Sequence, residues 1–291
     1  MGSTEAQAEG LAEKAIPPSA AAALVPLSAE VGWNQVAADW RFMLEQGEGR
    51  GFAGPSGRWA ATALIVKLGP HAAWISMVIT ARAWRHKGLG TRLLKDRVAR
   101  ALALGAVAGL DATELGRPIY ERLGFRAVYQ LRRWHLERAP EPPAAPERMW
   151  IRPMAARDLA TVAALDTQLT GFDRLHVLEH LFDRAPRAAH VAERDGEWVG
   201  YVLGRDGRFA TQIGPVVARD EETALALVSA AATALKPPFI LDVPERHGRV
   251  AAWIDAAGGE ARRRFWRMVL GHAPGLGDER HLFALAGPEL A

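Results

Sequence analysis

The stretch that decides the fold reads Met77-Val78-Ile79-Thr80-Ala81-Arg82-Ala83-Trp84-Arg85-His86-Lys87-Gly88-Leu89-Gly90-Thr91. An apolar run typical of a buried strand passes into a short basic loop, and the loop passes into a helix with glycines at its start. The first turn of a helix has backbone N–H groups without partners, and its dipole favours negative charge. The segment therefore predicts an anion cradle, in which Gly88 and Gly90 would let a pyrophosphate approach the backbone because no Cβ is in the way.

Two common phosphate loops are excluded by the residues at this position. A P-loop needs Gly-Lys followed by Ser or Thr, which the segment lacks. A dinucleotide-binding fingerprint needs a third glycine where Leu93 stands. What remains is Arg-x-x-Gly-x-Gly, formed by Arg85, Gly88 and Gly90, and the alternative is a glycine-opened helix with a solvated basic edge.

A second motif follows the predicted helix. Leu110 to Phe125 reads as a strand end, a loop and a short helix over Pro118–Leu123, closed by Tyr-x-x-x-Gly-Phe from Tyr120. Pro118 has the position of a helix N1 proline, and Gly124 has that of a C′ glycine. Taken alone, Tyr120 could equally be a packing residue.

In this order, the two motifs resemble those of the GNAT acyltransferases. The resemblance implies acetyl-CoA as co-substrate, direct transfer to an amine, and a backbone N–H near Val78 that stabilises the oxyanion. It implies that Tyr120 protonates the leaving thiolate, a role that suits a phenol with an ordinary pKa of about 10. The cofactor-binding residues that it implies are Met77, Val78, Ile79, Arg85, His86, Lys87, Gly88, Leu89, Gly90, Thr91, Thr113 and Tyr120.

The candidates for the general base that takes the amine's proton are Glu114, Asp111 and Asp39. Of these, Glu114 is the expected catalytic residue. In this fold the first helix borders the acceptor cleft, so Asn34, Gln35 and Asp39 are expected to bind the acceptor and Trp33 to wall it. The alternative is that the polar groups face water and the tryptophans are core. Phe172, Asp173 and Arg174 are further acceptor candidates with less support.

The two halves of the chain repeat one order of elements. The pattern predicts a helix over Ser28–Gly47, strands over 58–67 and 72–80, a helix over 88–104, a strand over 106–112 and a strand over 125–136. Three segments recur later: Ile213–Ala218 matches Ile75–Thr80, Leu241–Pro244 matches Leu110–Thr113, and Arg267-Met268 matches Arg133-Trp134. These matches indicate a duplicated domain.

The second copy departs from the pattern. Where the first has its glycine loop, the second reads Arg219-Asp220-Glu221-Glu222-Thr223, whose acids would repel a pyrophosphate. The chain therefore resembles bacterial tandem-GNAT proteins with a degenerate C-terminal acetyltransferase domain. The expected fold class is α/β (α+β), with two GNAT-like domains, each a mixed, mostly antiparallel sheet flanked by helices. The expected divisions are a flexible leader at 1–27, the catalytic domain at 28–138, a proline-rich linker at 139–147 and the degenerate domain at 148–291, which supports or shapes the acceptor site.

Composition limits the remaining possibilities. The chain has 291 residues, 49% of them hydrophobic and 24% charged, with no cysteine and a formal net charge of +3. A cysteine nucleophile and thiolate metal sites are excluded, and the charge is too small to favour nucleic acid as a partner. His176 and His180 have i, i+4 spacing but no evident third ligand, so no metal is expected, and Arg262-Arg263-Arg264 reads as a solvated turn or strand start. No segment resembles a membrane span or a secretory signal, which leaves a cytoplasmic location by default.

A small-molecule or other amine-bearing acceptor and a monomer or homodimer are expected. A non-catalytic acyl-CoA sensor and an inert scaffold are the rival functions.

Overall fold

The computed structural model describes residues 10–144, 147–271 and 276–291. The first half contains, in chain order, β1 Ala12–Ala15, α1 Ala21–Glu30, α2 Ala37–Glu45, β2 Gly47–Ala53, β3 Trp59–Lys67, β4 Ala72–Thr80, α3 Leu89–Ala103, β5 Val107–Thr113, α4 Arg117–Arg122 and β6 Arg126–Leu136. The second half contains β7 Met149–Pro153, α5 Leu159–Thr170, α6 Leu175–Arg184, β8 His190–Arg194, β9 Glu197–Arg205, β10 Thr211–Ala218, α7 Glu221–Ala234, β11 Phe239–Pro244, α8 Gly248–Ala256, β12 Glu260–Leu270 and β13 Leu282–Ala284.

The strands form one continuous sheet through both halves. Its order is β1-β2-β3-β4-β5-β12-β6-β11-β10-β9-β8-β7, with β13 paired to β10. Most neighbours are antiparallel, while β4 with β5 and β10 with β11 are parallel. The expected mixed, mostly antiparallel architecture with flanking helices is confirmed.

The last strands of the two halves interleave at the centre of this sheet. β12, from the second half, lies between β5 and β6 of the first, and β6 lies between β12 and β11. Each half therefore completes the sheet of the other. The division into domains at 28–138 and 148–291 stays a prediction.

Residues 10–27 differ from the flexible leader expected for 1–27. Their strand β1 pairs with β2 from Ala12–Ala53 to Ala15–Arg50, and Leu11, Ile16 and Leu24 are buried. The leader interpretation is therefore wrong for these residues, because their apolar side chains are spaced to pack on the sheet. Residues 1–9 lie outside the described part of the chain.

The single helix expected over Ser28–Gly47 is also wrong, because two helices occupy this region. Gly32 has a φ of 73°, which interrupts the helix, and Val36 is extended at the start of α2. The Asp39 carboxylate accepts a hydrogen bond from the Val36 N–H at 2.8 Å and caps the second helix.

Strand β2 is another element that the sequence pattern did not predict. Its glycines have low strand propensity, yet close contacts require them. A Cβ at Gly47 would lie 1.8 Å from the Ile65 carbonyl oxygen, and one at Gly51 would lie 2.8 Å from the Trp59 ring.

The linker expected at 139–147 is described except for residues 145 and 146, which lie outside the described part. Residues 139–144 have no helix or strand, and the indole N–H of Trp253 donates to the Glu141 carbonyl at 3.0 Å.

Candidate functional site

The site is built on a divergence between β4 and β5. The two strands pair in parallel only from Ala72–Val107 to Trp74–Gly109, and they separate beyond that point. On its other side, β4 has a bulge in which Met77 and Val78 lie opposite Ala63 alone, since Ser76 pairs with Leu64 and Ile79 with Thr62. Divergence and bulge together open a cleft between the strands.

The bulge holds Met77 in an unusual conformation. Its φ is 51°, which is rare for a residue with a side chain. The Thr62 hydroxyl donates to the Met77 carbonyl at 2.8 Å, so that carbonyl has a partner although it lies outside the ladder. Neighbouring Val78 lines the cleft.

The basic loop continues from β4 into α3. His86 and Gly88 both have positive φ, at 63° and 76°, and Gly88 is the N-cap of α3. Left-handed residues in such a loop turn successive N–H groups toward one side, which favours an anion. A Cβ at Gly88 would meet no atom within 4 Å, so the space beside the loop is open.

Gly90 has a different role from the one expected. A Cβ there would lie 2.8 Å from Thr80 Oγ1, so this glycine lets α3 approach the end of β4 rather than clearing space for a ligand. The expectation that both glycines admit a pyrophosphate therefore needs correction for Gly90.

The cations of the loop differ in availability. The Arg82 guanidinium donates to the Glu30 carbonyl at 3.3 Å, and its Nε lies 4.0 Å from the Glu30 carboxylate. The Lys87 ammonium lies 4.9 Å from the centre of the Trp84 ring. Arg85 Nε donates to the Thr80 carbonyl at 3.3 Å, and Arg85 and Thr91 are exposed beside the cleft.

The cleft has a volume of ≈ 1500 Å³ and joins a smaller cavity of ≈ 70 Å³ between β4 and β5. The predicted cofactor residues Val78, Ile79, Arg85, His86, Gly88, Leu89, Gly90, Thr91, Thr113 and Tyr120 line the cleft, and Met77 lines the cavity. The residues that line both spaces, and so mark their junction, are Trp33, Val78, Thr113, Tyr120 and Arg263.

Tyr120 has the surroundings of a proton donor. Burial raises the pKa of its phenol to about 12, and its hydroxyl has no hydrogen-bond partner among the described residues. The ring approaches Gly116 closely, since a Cβ there would lie 2.9 Å from its Cε2. A neutral phenol with an unused proton therefore faces the junction.

The three residues expected to bind the acceptor make different contacts in the structure. Asn34 donates to the Ala210 carbonyl at 2.9 Å and accepts from the Phe209 N–H at 3.1 Å, so it holds a loop of the second half. Asp39 lies in buried ion pairs with Arg184 and Arg205, each at 2.8 Å. Gln35 lines the cavity, is 4% exposed, and its Oε1 has no partner among the described residues.

The candidate bases are also distinguished by their partners. Both oxygens of Asp111 accept from Arg267, at 2.9 and 2.8 Å, and burial raises its pKa in spite of this arginine. Burial alone would raise the pKa of Asp39, but Arg205 and Arg184 lower it overall. Glu114 is exposed on the wall of the cleft.

Two charged residues of the second half line the cavity without having been predicted there. Arg263, assigned from sequence to a solvated run, lies on β12 and lines both spaces. Glu289 lines the cavity, is 4% exposed and pairs with Arg205. No local motif marks either position, because each is brought there by strand exchange or by the C-terminal segment.

The remaining candidates lie elsewhere. Phe172 and Arg174 are buried, and Arg174 pairs with Asp166 at 2.9 Å. His180 stacks on Phe42 with ring centres 3.9 Å apart, and His176 contacts the Lys67 carbonyl. Within the described ranges, no group of acidic residues and histidines is arranged to hold a metal ion, and no helix is long and apolar enough to cross a membrane.

The second half has a counterpart of the cleft, but a strand occupies it. β10 pairs with β11 only at Thr211 and Gln212, and its bulge sets Gly214 and Pro215 opposite Leu203. The opening is filled by β13, which pairs with β10, and by Leu285, whose N–H donates to the Asp242 carbonyl at 3.0 Å. A Cβ at Gly214 would lie 1.9 Å from the Leu285 carbonyl oxygen. Superposing the two bulges pairs Met77 with Gly214. The match made by sequence pairs Met77 with Pro215, so it is shifted by one residue.

Comparisons with known proteins agree with this geometry. Residues 26–125 match the acetyltransferase (GNAT) family, and residues 162–284 match an acetyltransferase (GNAT) domain. YitH of Bacillus subtilis (strain 168), described as an uncharacterized N-acetyltransferase, is 23% identical over 225 residues, which are 77% of this chain and 79% of YitH.

Two solved structures share the fold over most of the chain. A Pyrococcus horikoshii protein assigned as an acetyltransferase has a TM-score of 0.78 at 17% identity, covering 97% of this chain and 96% of its own. A tandem GNAT protein from the clavulanic acid biosynthesis pathway has a TM-score of 0.62 at 13% identity, covering 90% and 99%.

Proposed function

The chain belongs to the GNAT acetyltransferases, and from this premise we propose that its first half transfers an acetyl group from acetyl-CoA to a primary amine. The observation that carries the proposal is the junction at the β4–β5 divergence. There the bulge at Met77, the left-handed loop before α3 and the unused Tyr120 hydroxyl adjoin one continuous opening.

The cleft has the properties that acetyl-CoA requires. Open space beside Gly88, the unpaired N–H groups at the start of α3 and the exposed Arg85 suit a pyrophosphate. We propose that Met77, Val78 and Ile79 hold the acyl end along the divergent strand, and that His86, Lys87, Leu89, Thr91 and Thr113 complete the contact, while Gly90 lets α3 lie close to β4. Acetyl-CoA then supplies an activated carbonyl at the junction.

The reaction needs two proton movements. The amine lone pair forms a bond to the acetyl carbon while the carbon–sulfur bond breaks, and Tyr120 gives its proton to the departing sulfur. The amine gives up a proton through water to Glu114, a carboxylate that lines the same cleft. Asp111 and Asp39 are poor candidates for this step, because Asp111 accepts from Arg267 and Asp39 is ion-paired with Arg184 and Arg205.

The second half shapes the acceptor side. β12 contributes Arg263 and Phe265 to the cavity, and the segment after β13 contributes Pro288 and Glu289. The indole N–H of Trp74 holds that segment by donating to the Pro288 carbonyl at 2.9 Å. Since β13 fills the second opening, we propose that acetyl-CoA binds in the first half alone.

A pair of matched glycine variants tests the proposal. Gly88 and Gly57 have φ values of 76° and 77°, and a Cβ at either would meet nothing within 4 Å. Ligand at 100 times its Kd adds about 2.7 kcal/mol to the free energy of unfolding, so acetyl-CoA should raise the melting temperature of the wild type and of Gly57→Asp. Gly88→Asp should lose this rise, because its carboxylate repels the pyrophosphate.

Turnover decides between enzyme and sensor. Release of thiol from acetyl-CoA in the presence of an amine panel is expected for the wild type. Binding without release of thiol for any amine would favour the sensor. If millimolar acetyl-CoA does not raise the melting temperature, the proposed cofactor site itself is contradicted.

A further inference from the structure

The cavity behind the junction is small and closely defined. One water needs about 10–15 Å³ of such space, so ≈ 70 Å³ holds roughly five to seven non-hydrogen atoms. That is the size of a small polar head, and the rest of an acceptor would extend into the larger cleft.

The charged groups that line the cavity are paired, with one exception. Asp111 is held by Arg267, Arg133 by Asp242 at 2.7 Å, and Glu289 by Arg205. Arg263 has no side-chain hydrogen bond or ion pair within the part of the chain that the structure describes.

The two neighbouring arginines on β12, unlike Arg263, are both paired. Arg262 is paired with Glu260 at 2.7 Å, and Arg264 with Glu245 at 3.0 Å. Asp242 attracts Arg263 from a distance, but its oxygens accept from Arg133 and from Gln212 Nε2. Burial and the nearby Arg133 lower the pKa of Arg263, so an added anion would stabilise its charged form.

Two residues that line the same cavity have unused acceptor oxygens. Gln35 Oε1 is buried without a partner. Glu289 uses Oε1 for Arg205, while its Oε2 has no hydrogen bond among the described residues. The cavity therefore combines an unpaired cation with two unused oxygens.

We infer that the acceptor is a small amino acid-like molecule, whose carboxylate pairs with Arg263 and whose amino group lies at Gln35 Oε1 and Glu289 Oε2. An α-amino acid head has five non-hydrogen atoms, namely the nitrogen, the α-carbon and the carboxylate, which matches the space. This inference rests on the proposed function, because it names the acceptor of the same site.

The test compares amines that differ only in the carboxylate. Proteinogenic amino acids, their methyl esters and the corresponding decarboxylated amines are assayed with the full chain and acetyl-CoA. A charge-assisted pair predicts a kcat/KM for the free acid about tenfold to a hundredfold above that for its ester. Arg263→Gln should reduce this ratio to about one, Arg263→Lys should keep part of it, and the exposed Arg187→Gln should leave it unchanged.

Binding measurements separate this inference from the proposed function. Calorimetry of amino acid and ester with the CoA-loaded wild type reports the same preference without turnover, and it needs no variant to fold. If no amine is acetylated, the proposed function fails while calorimetry still decides the role of Arg263. Equal binding of acid and ester would overturn the inference. A loss of acetyl-CoA affinity in Arg263→Gln with an unchanged acid-to-ester ratio would also overturn it, and would assign Arg263 to the cofactor.

Discussion

Tyr120 shows at the residue scale how the fold selects a chemical role. Its ring is partly buried, packs at 6.0 Å against Phe125 and lies against Gly116, so its position is set by packing. Tyr120 lines both the cleft and the cavity, and its hydroxyl has no hydrogen-bond partner among the described residues. Packing and the proposed catalytic role, which were alternatives from sequence, therefore involve different parts of one side chain.

Tyr120→Phe is predicted to keep packing and lose the proton. The variant should bind acetyl-CoA with unchanged Kd, while kcat falls by about 100-fold or more, as for the loss of a general acid. Because the pKa of Tyr120 is raised to about 12, the phenol stays neutral well above neutral pH. Wild-type kcat should therefore show no loss from this group between about pH 8 and about pH 10. An unchanged kcat in the variant would remove Tyr120 from the mechanism.

At the element scale, the approach of α3 to β4 determines the shape of the loop proposed to bind the cofactor. Gly88 supplies the left-handed turn and Gly90 supplies the clearance, because a Cβ at Gly90 would lie 2.8 Å from Thr80 Oγ1. The same spacing of two glycines thus meets two separate requirements.

Gly90→Ala is predicted to weaken acetyl-CoA binding through displacement of α3. A loss of about tenfold in affinity, or ~1.4 kcal/mol, is expected from calorimetry. Adding Thr80→Ala removes the contacted oxygen, so the double variant should recover most of the affinity. Equal losses in the single and double variants would show that Gly90 contacts the ligand directly.

The second half illustrates how a strand can fill an opening in the sheet. β13 pairs with β10 where the equivalent strand of the first half borders the cleft. The acidic run that replaces the glycine loop acts locally, since Asp220 caps α7 by accepting from the Thr223 N–H at 2.8 Å. The acidic run led us to expect a degenerate second domain, and in the structure β13 also fills the opening of that domain.

At the scale of the whole molecule, the duplicated residues pair across the halves. Asp111 of the first half binds Arg267 of the second, and Asp242 of the second binds Arg133 of the first. Both pairs follow from the exchange of β6 and β12, which sets each arginine opposite an aspartate in the sheet. The exchange therefore buries two ion pairs at the join of the halves.

Asp242→Asn is predicted to destabilise the molecule strongly. Removing one partner of a buried pair costs about 3–5 kcal/mol, because the remaining charge stays buried. Urea unfolding of this variant should show that loss. Asp195→Asn, which breaks the exposed pair between Arg148 and Asp195, should cost less than about 1 kcal/mol. Similar costs for the two variants would mean that the pairs at the join do not hold the halves together.

Local sequence determined the elements whose signals are local. The glycine loop, the strand and helix around it, Tyr120 and the duplication could all be predicted, because turn chemistry and apolar periodicity act over a few residues. Tertiary structure alone decided that residues 10–27 fold onto the sheet, that glycine-rich β2 is a strand, and that Asn34 and Asp39 hold the second half. It alone brought Arg263 and Glu289 to the cavity. These outcomes depend on contacts between residues far apart in the chain, whose energies come from burial and charge pairing and leave no local pattern.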